Sequence, residues 1–345
     1  MVIAIIGAGL SGLVAANRLA QAGHEVTVFE KSRGFGGRMA TRYKSGDRSV
    51  KFDHGTSFLS ARGADFKAFL NDFVDKGMLR KWTNKFLYED TDTITEVSAT
   101  PGGEDLYIAI DGMNTIGKQL QRPVDVRTET RVGGITYIGK HRGRKKAWMV
   151  NLDSQDVFEA DAVVVAVPAT QAYGIIQTAQ DELSIRHIIK DIDEISYDPD
   201  LSFMFSFGKQ EIPDWEGLKM LNPVVSLIIN ESSKRDFGGD LNVVVHTTPE
   251  FAIKHQTGNR DAALHDVLKV LMNELGAFAA NPVWYDVHFW RYARARKALQ
   301  MPYFECNEPD QPLAIIGDYF MGTDAEAAYN SAVALSEHWI NKYTS

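Results

Sequence analysis

The sequence predicts an α/β protein in two parts: a parallel-sheet domain, and an α+β domain built on an antiparallel sheet and inserted into it. Three observations carry this. The chain opens with an apolar strand, a small-residue helix and a second apolar strand in immediate succession, the pattern of a parallel βαβ unit. Its middle contains segments with two-residue alternation, the mark of antiparallel strands. An apolar, strand-like run returns at 312–322, so the first domain is expected to be discontinuous. At 345 residues the chain exceeds one ordinary core, which fits two domains. The expected bounds are 1–64, 103–172 and 310–345 for the first domain, and 65–102 with 173–309 for the second.

Taken in order, "VIAIIG" (2–7) reads as a buried strand, "SGLVAANRLAQAG" (11–23) as a helix closed by Gly23, and "EVTVFEK" (25–31) as the next parallel strand. From Asp65 to Lys76, Phe66, Phe69, Leu70, Phe73 and Val74 recur at helical spacing and form a core-facing stripe. Between Val124 and Val167 the pattern becomes short strands: "VDVRTET", "GGITYIG", "AWMVNL" and "DAVVVAVP", the last apolar throughout, as burial on both faces requires. The basic turn "HRGRKK" (141–146) reads as a charged hairpin tip. Further on, Leu201, Phe203, Phe205 and Phe207 share one face of a strand, with Ser202, Met204 and Ser206 opposite. "NVVVHTT" (242–248) and "YDVHFWRYA" (285–293) alternate similarly, with an amphipathic helix at 260–276 between them. A final helix runs through "AAYNSAVALSEHWI".

Composition narrows the class. The 44% hydrophobic and 24% charged fractions are those of an ordinary globular protein, and the formal net charge of -8 argues against nucleic acid or an anionic membrane as partner. One cysteine, Cys306, excludes a disulfide framework, a dithiol pair and a cysteine-based zinc site; no metal is expected. A strand begins at Val2 without a basic leader, and no apolar stretch approaches the roughly 20 residues that span a bilayer, so a cytoplasmic address and no membrane partner are expected.

Gly7, Gly9 and Gly12 form G-x-G-x-x-G between a strand and a helix, with Leu10 and Ser11 inside the turn. The first glycine permits the tight turn, the second lets the backbone approach a pyrophosphate, and the third permits close helix–strand packing. The phosphates then face unpaired amides at the positive helix end. Glu30, followed by Lys31, closes the second strand where a carboxylate can accept hydrogen bonds from ribose hydroxyls. This pattern leaves NAD and FAD in competition. A second cluster, "GFGGRM" (34–39), adds Gly36, Gly37, Arg38 and Met39, so backbone and guanidinium can close over a pyrophosphate from the other side.

These residues resemble the FAD superfamily that includes amine oxidases, desaturases and renalase, whose members carry a "GGR" element after the acidic ribose residue. The resemblance implies a Rossmann-like FAD-binding domain with an inserted substrate domain, and FAD bound non-covalently. It implies further contacts: Val132, after Arg131, toward the adenine; Gly317 and Asp318 of "AIIGDYF" toward the ribityl or pyrophosphate region; and the start of the last helix, at Ala325 and Ala327, toward the flavin N1/C2=O edge. His54 and Gly55 of "FDHGTSFLSAR" adjoin the same cofactor in this reading. The chain lacks a second G-x-G-x-x-G, so a separate nicotinamide domain is not expected.

Within the superfamily the sequence is most similar to the renalase branch, especially its bacterial members, through "FDHGTSFLSAR", "VHTTPEF", "FWRYARA" and "IIGDYF". That resemblance implies oxidation of 2- or 6-dihydro-NAD(P) isomers to NAD(P)+ by hydride transfer to flavin N5, with reoxidation by O2 to hydrogen peroxide. A dihydropyridine becomes aromatic as hydride leaves, so the protein need only hold two rings in near-attack geometry. His246, Trp290 and Tyr292 are the candidates for this wall, with His288 on the same strand face as the last two. Arg291, Arg294, Arg296 and Lys297 form a basic run for which a solvated face is the plainer reading. Three alternatives stay open: an amine oxidase, a desaturase-like flavoprotein, and an FAD-binding protein without turnover.

Overall fold

In the computed structural model, which describes residues 1–90, 93–139, 146–179, 189–258, 260–306 and 311–343, the strands Val2–Ile6 and Glu25–Phe29 pair in parallel, Ile3 opposite Val26 and Ile5 opposite Val28. The helix between them, Leu10–Gln21, buries Leu13, Ala15, Ala16 and Leu19 completely. Small residues on that face let the helix lie close to the sheet, and a crossover of this kind returns the chain parallel to itself. Ala162–Val165 pairs on the other side of Val2–Ile6, and Leu313–Ile315 beyond it, both in parallel. Asp125–Arg127 extends one edge in parallel and Phe304–Glu305 closes the other antiparallel, six strands among the described residues. The last helix, Ala325–Tyr343, packs along Leu10–Gln21, with Arg18 and Glu337 joined at 2.9 Å.

Of the short strands expected between Val124 and Val167, Asp125–Arg127 and Ala162–Val165 belong to the parallel sheet, the latter buried throughout as its apolar run requires; the separate antiparallel sheet consists of Val132–Tyr137, Trp148–Leu152 and Val157–Ala160. Val157–Ala160 was not anticipated, because four mixed residues show no period. The turn at 141–146 lies outside the described residues except for Lys146, whose ammonium pairs with Asp161 at 2.9 Å. The run 312–322 is a strand only as far as Ile315. The Ile316 N–H still donates to Val165 O, but the Gly317 amide turns away to Ser331 Oγ of the last helix.

The chain divides into two compact units, residues 1–38, 116–197 and 294–345, and residues 39–115 and 198–293. The bounds differ from those expected because strand pairing decides them. Arg42–Lys44 pairs with Asp47–Phe52, and Leu59–Ser60 and Leu79–Lys81 both pair with Leu106–Ala109, which holds 39–64 and 103–115 in the second unit. Phe304–Glu305 pairs with Leu313–Ile315 and so stays in the first.

The second unit is organised on a seven-stranded sheet in the order Trp284–Ala295, Tyr197–Lys209, Asp240–Thr247, Val225–Asn230, Gly217–Met220, Lys85–Asp90, Thr93–Ser98. Pairing is antiparallel except between Gly217–Met220 and Lys85–Asp90. Leu201, Phe203, Phe205 and Phe207 enter one apolar layer with Val267 and Leu271 of the helix Asp261–Leu275. Met204 enters a second layer with Phe52, Phe86 and Ile229. Both faces of the sheet are therefore covered. Among the described residues no helix is long and apolar enough to cross a membrane.

Candidate functional site

The two glycine clusters of the first unit fold onto one another. The Gly36 amide donates to Ala8 O at 2.8 Å, and Gly36 forms an isolated parallel bridge with Gly9. Gly7 sits at φ +107°, and a Cβ on Gly12 would stand 2.0 Å from Gly7 O, so both positions exclude any side chain. Gly9 differs: nothing lies within 4 Å of where its Cβ would be. The same glycine is the N-cap of Leu10–Gln21 and supplies no side-chain cap, which leaves first-turn amides, including those of Leu10, Ser11 and Gly12, without helical acceptors. Open space before uncapped amides fits the pyrophosphate of a dinucleotide.

Glu30 is buried, and each of its carboxylate oxygens already takes a backbone N–H, Ala8 at 2.9 Å and Ser32 at 2.8 Å. A carboxylate has about four acceptor positions, so these bonds fix the group while leaving capacity for ribose hydroxyls. Lys31 is exposed, its Nζ near Gln171 Oε1 at 3.3 Å. Arg38 and Asp318, each expected to face the cofactor, form a bidentate pair with each other at 2.8 and 2.5 Å. The Asp318 side chain is almost buried, whereas that of Arg38 keeps 30% of its exposure. Val132 opens the antiparallel sheet opposite Leu152. The last helix begins at Ala325 as expected, but the Ala327 amide is capped by Asp324 Oδ1 at 3.0 Å. Cys306 is buried in the first unit's core, facing Gln311.

In the second unit three rings meet. His54 stacks on Trp290 with centroids 5.2 Å apart and an interplanar angle of 23°. His288 stands edge-on to both, 4.9 Å from His54 and 4.3 Å from Trp290. Trp290 Nε1–H donates to the His54 carbonyl at 2.9 Å, which locks the pair. His54 is 3% exposed, and its Nδ1 is buried without a hydrogen-bond partner. Burial, reinforced by His288 and Arg42, pulls the His54 pKa down to about 3. Burial, with Arg42 and Arg260 nearby, also lowers that of His288. Two neutral imidazoles and an indole thus form one uncharged wall. Tyr292 is half-buried two residues beyond Trp290, and Met39 is buried at the start of this unit.

His246 was expected to offer a ring nitrogen to a guest or to the flavin edge; both nitrogens are instead engaged within the unit. Nδ1 lies 2.7 Å from Asp200 Oδ2 and Nε2 lies 3.2 Å from Ser57 Oγ. Asp200 Oδ1 accepts the Thr247 N–H at 3.0 Å, and Ser57 Oγ lies 2.9 Å from Asp53 O. Beneath this segment Asp53, Glu231, Lys234 and Arg235 form a buried, charge-balanced quartet. Lys234 Nζ also donates to Ser57 O, and the Met113 amide and Thr41 hydroxyl donate to Asp53 Oδ1. Burial pushes the Asp53 carboxyl up, but Arg235 and Lys234 outweigh it and hold the pKa below the usual range.

Asp200, Ser57 and this quartet were missed at the level of sequence. "ESSKR" (231–235) did carry a signal, since Glu231 with Lys234 and Arg235 has the i, i+3 and i, i+4 spacing of intrasegment pairs. Nothing in the sequence ties them to Asp53. Within the basic run 291–297, Lys297 pairs with Glu194 at 2.8 Å on an exposed surface, and Arg291 lies over the Phe289 ring.

A family model for an NAD(P)-binding Rossmann-like domain matches residues 5–73, and one for flavin containing amine oxidoreductases matches residues 75–335. The 4,4'-diapophytoene desaturase of Staphylococcus aureus (strain Newman) is 51% identical over 59 residues, 17% of this chain and only 11% of the desaturase. Among solved structures, a triple mutant of putrescine oxidase redesigned in cofactor binding has a TM-score of 0.74 at 15% identity, covering 99% of this chain and 98% of its own. Cyclohexylamine oxidase from Brevibacterium oxydans IH-35A has a TM-score of 0.68 at 12% identity, covering 97% and 98%. At such identities the two structures share a fold with this chain.

Proposed function

The chain belongs to the flavin containing amine oxidoreductase family, and from that premise we propose an FAD-dependent, renalase-like oxidoreductase that converts 2- or 6-dihydro-NAD(P) isomers to NAD(P)+. In this reading FAD is held non-covalently and O2 is the acceptor, giving hydrogen peroxide. Gly7, Gly9, Leu10, Ser11 and Gly12 would hold the pyrophosphate, Glu30 the ribose, and Gly36, Gly37, Arg38 and Asp318 the opposite side of the cofactor. Bound FAD would supply the electron sink that accepts hydride.

The observation that carries the choice of donor is the uncharged wall of His54, His288 and Trp290. A dihydropyridine acquires positive charge as it loses hydride, and protonated imidazoles would oppose that charge. Burial keeps both histidines neutral, so the wall places no cation against the donor ring. Amine oxidation is the second reading, favoured by the family description and by the two oxidases of similar fold.

The deciding experiment mixes the purified protein anaerobically with each donor and follows flavin absorbance. Rapid bleaching by 2- or 6-dihydro-NAD(P), with none by monoamines, is expected. Bleaching by amines alone would establish the second reading, and no bleaching by any donor would leave a flavin-binding protein without this turnover.

A further inference from the structure

The segment that carries His54 runs from Asp53 to Ser57, between the strands Asp47–Phe52 and Leu59–Ser60. Its carbonyls accept from side chains: Asp53 O from Ser57 Oγ at 2.9 Å, His54 O from Trp290 Nε1 at 2.9 Å, and Ser57 O from Lys234 Nζ at 2.8 Å. This short stretch reaches several candidate residues at once. His54 stacks on Trp290 and meets His288, while Ser57 Oγ lies 3.2 Å from His246 Nε2. Whatever fixes its backbone also fixes the rings.

Two consecutive side chains do so. Arg235 Nη2 donates to Asp53 Oδ2 at 2.5 Å at one end of the segment, and Lys234 Nζ donates to Ser57 O at the other. The Arg235 guanidinium also donates to Glu231 Oε2 at 2.9 Å, Ala109 O at 2.7 Å and Ile110 O at 3.0 Å. Its planar fork fixes direction as well as distance. The base of this clamp is itself anchored: Arg80 donates to the carbonyls of Ser233 and Lys234, and Trp82 Nε1 donates to Ser233 Oγ. Ser232 Oγ bonds Asp240 O and the Asn242 amide, both on the strand that carries His246. The side chains of Asp53, Glu231 and Lys234 are fully buried and that of Arg235 nearly so, which leaves no room for water to replace either cation.

We propose that Lys234 and Arg235 are positioning residues: they clamp residues 53–57 and thereby set the ring geometry on which donor oxidation depends, an inference that rests on the reading of that wall as the donor site. They act through the backbone and carboxylate of this segment. A misplacement on the order of 1 Å in a near-attack arrangement costs about 100-fold in rate, so a clamp remote from the chemistry governs it.

The test removes the clamp and keeps the charges balanced. Asp53→Ala combined with Arg235→Met leaves Glu231 and Lys234 as a matched pair, so no buried charge is stranded. In 15N-tryptophan-labelled holoprotein, the Trp290 indole N–H signal, identified with Trp290→Phe, should leave its hydrogen-bonded position. The limiting rate of anaerobic flavin reduction by 2- or 6-dihydro-NAD(P) should fall by about 100-fold, more than the half-saturating donor concentration rises, with flavin retention unchanged. Arg235→Lys keeps the charge but loses the fork, and should show a smaller loss in the same direction. A merely structural role would let the charge-balanced variant match the unaltered protein in both readouts. An unmoved indole signal would overturn the clamp whatever the donor; a moved signal with unaltered reduction kinetics would overturn its part in donor oxidation. Because the indole signal requires no donor, failure of dihydro-NAD(P) to bleach the flavin of the unaltered protein would count against the donor assignment alone.

Discussion

The glycine loops of the first unit and the ring cluster of the second are built by different forces. The loops act through backbone: Gly36 reaches Ala8, Glu30 is fixed by two amides, and at Gly9 the lack of a side chain leaves open space before the helix. The ring cluster acts through side chains drawn from distant segments, His54 from one, His288 and Trp290 from another, with a buried ionic quartet beneath the loop that carries His54. Local geometry suffices for the first kind of site. The second kind exists only when the core around it is complete.

The contrast is most sharply broken through the quartet. Asp53→Asn leaves Arg235 and Lys234 with one carboxylate fewer in a dry interior, and unfolding free energy should fall by about 3–5 kcal/mol in urea titrations. A loss below about 1 kcal/mol would mean that the quartet is hydrated and does not hold the loop. Within the glycine loops, Gly12→Ala should destabilise by about 3 kcal/mol through its clash with Gly7 O. Gly9→Ala should leave the melting temperature nearly unchanged yet lower flavin retention. Equal effects of the two substitutions on melting would erase the distinction between a packing glycine and an approach glycine.

The neutral wall predicts a pH dependence with a definite sign. An imidazole titrates near about 6.5 in the unfolded chain and about 3 at His54. The unfolded state therefore binds the extra proton first, and stability falls as pH drops below about 6.5, by about 1.4 kcal/mol per unit, until about pH 3. From pH 7 to pH 5 that amounts to about 2 kcal/mol, and His54→Phe should lack this share of the acid loss; an identical acid slope in the variant would show that His54 is not held neutral. Trp290→Phe retains a ring but loses the N–H donated to His54 O, so a loss of about 1 kcal/mol and slower flavin reduction by the donor are expected. Smallest of all, Lys297→Ala should change neither melting temperature nor flavin retention, since its partner Glu194 is at the surface; a clear loss of donor affinity would restore the basic run to the site.

How much was legible in the sequence follows the same division. The opening βαβ unit, the glycine turn and Glu30 could be read because each depends on neighbours a few residues away. Strands such as Val225–Asn230 and Gly217–Met220 were not read, since their pairing partners supply the evidence that short apolar runs lack. Arg38 and Asp318 were singled out one at a time; only the fold makes them a pair across 280 positions. His246 was named, but Asp200 and Ser57, which engage its two nitrogens, were not.

The sequence by itself determined the dinucleotide turn and the two-part α/β architecture, because backbone sterics and hydrophobic period act over short stretches of chain. Only the tertiary structure decided which histidines are held neutral by burial, as His54 is, and which are joined to a carboxylate, as His246 and His338 are. Protonation depends on burial and on charges a few ångströms away, and those neighbours are far apart along the chain.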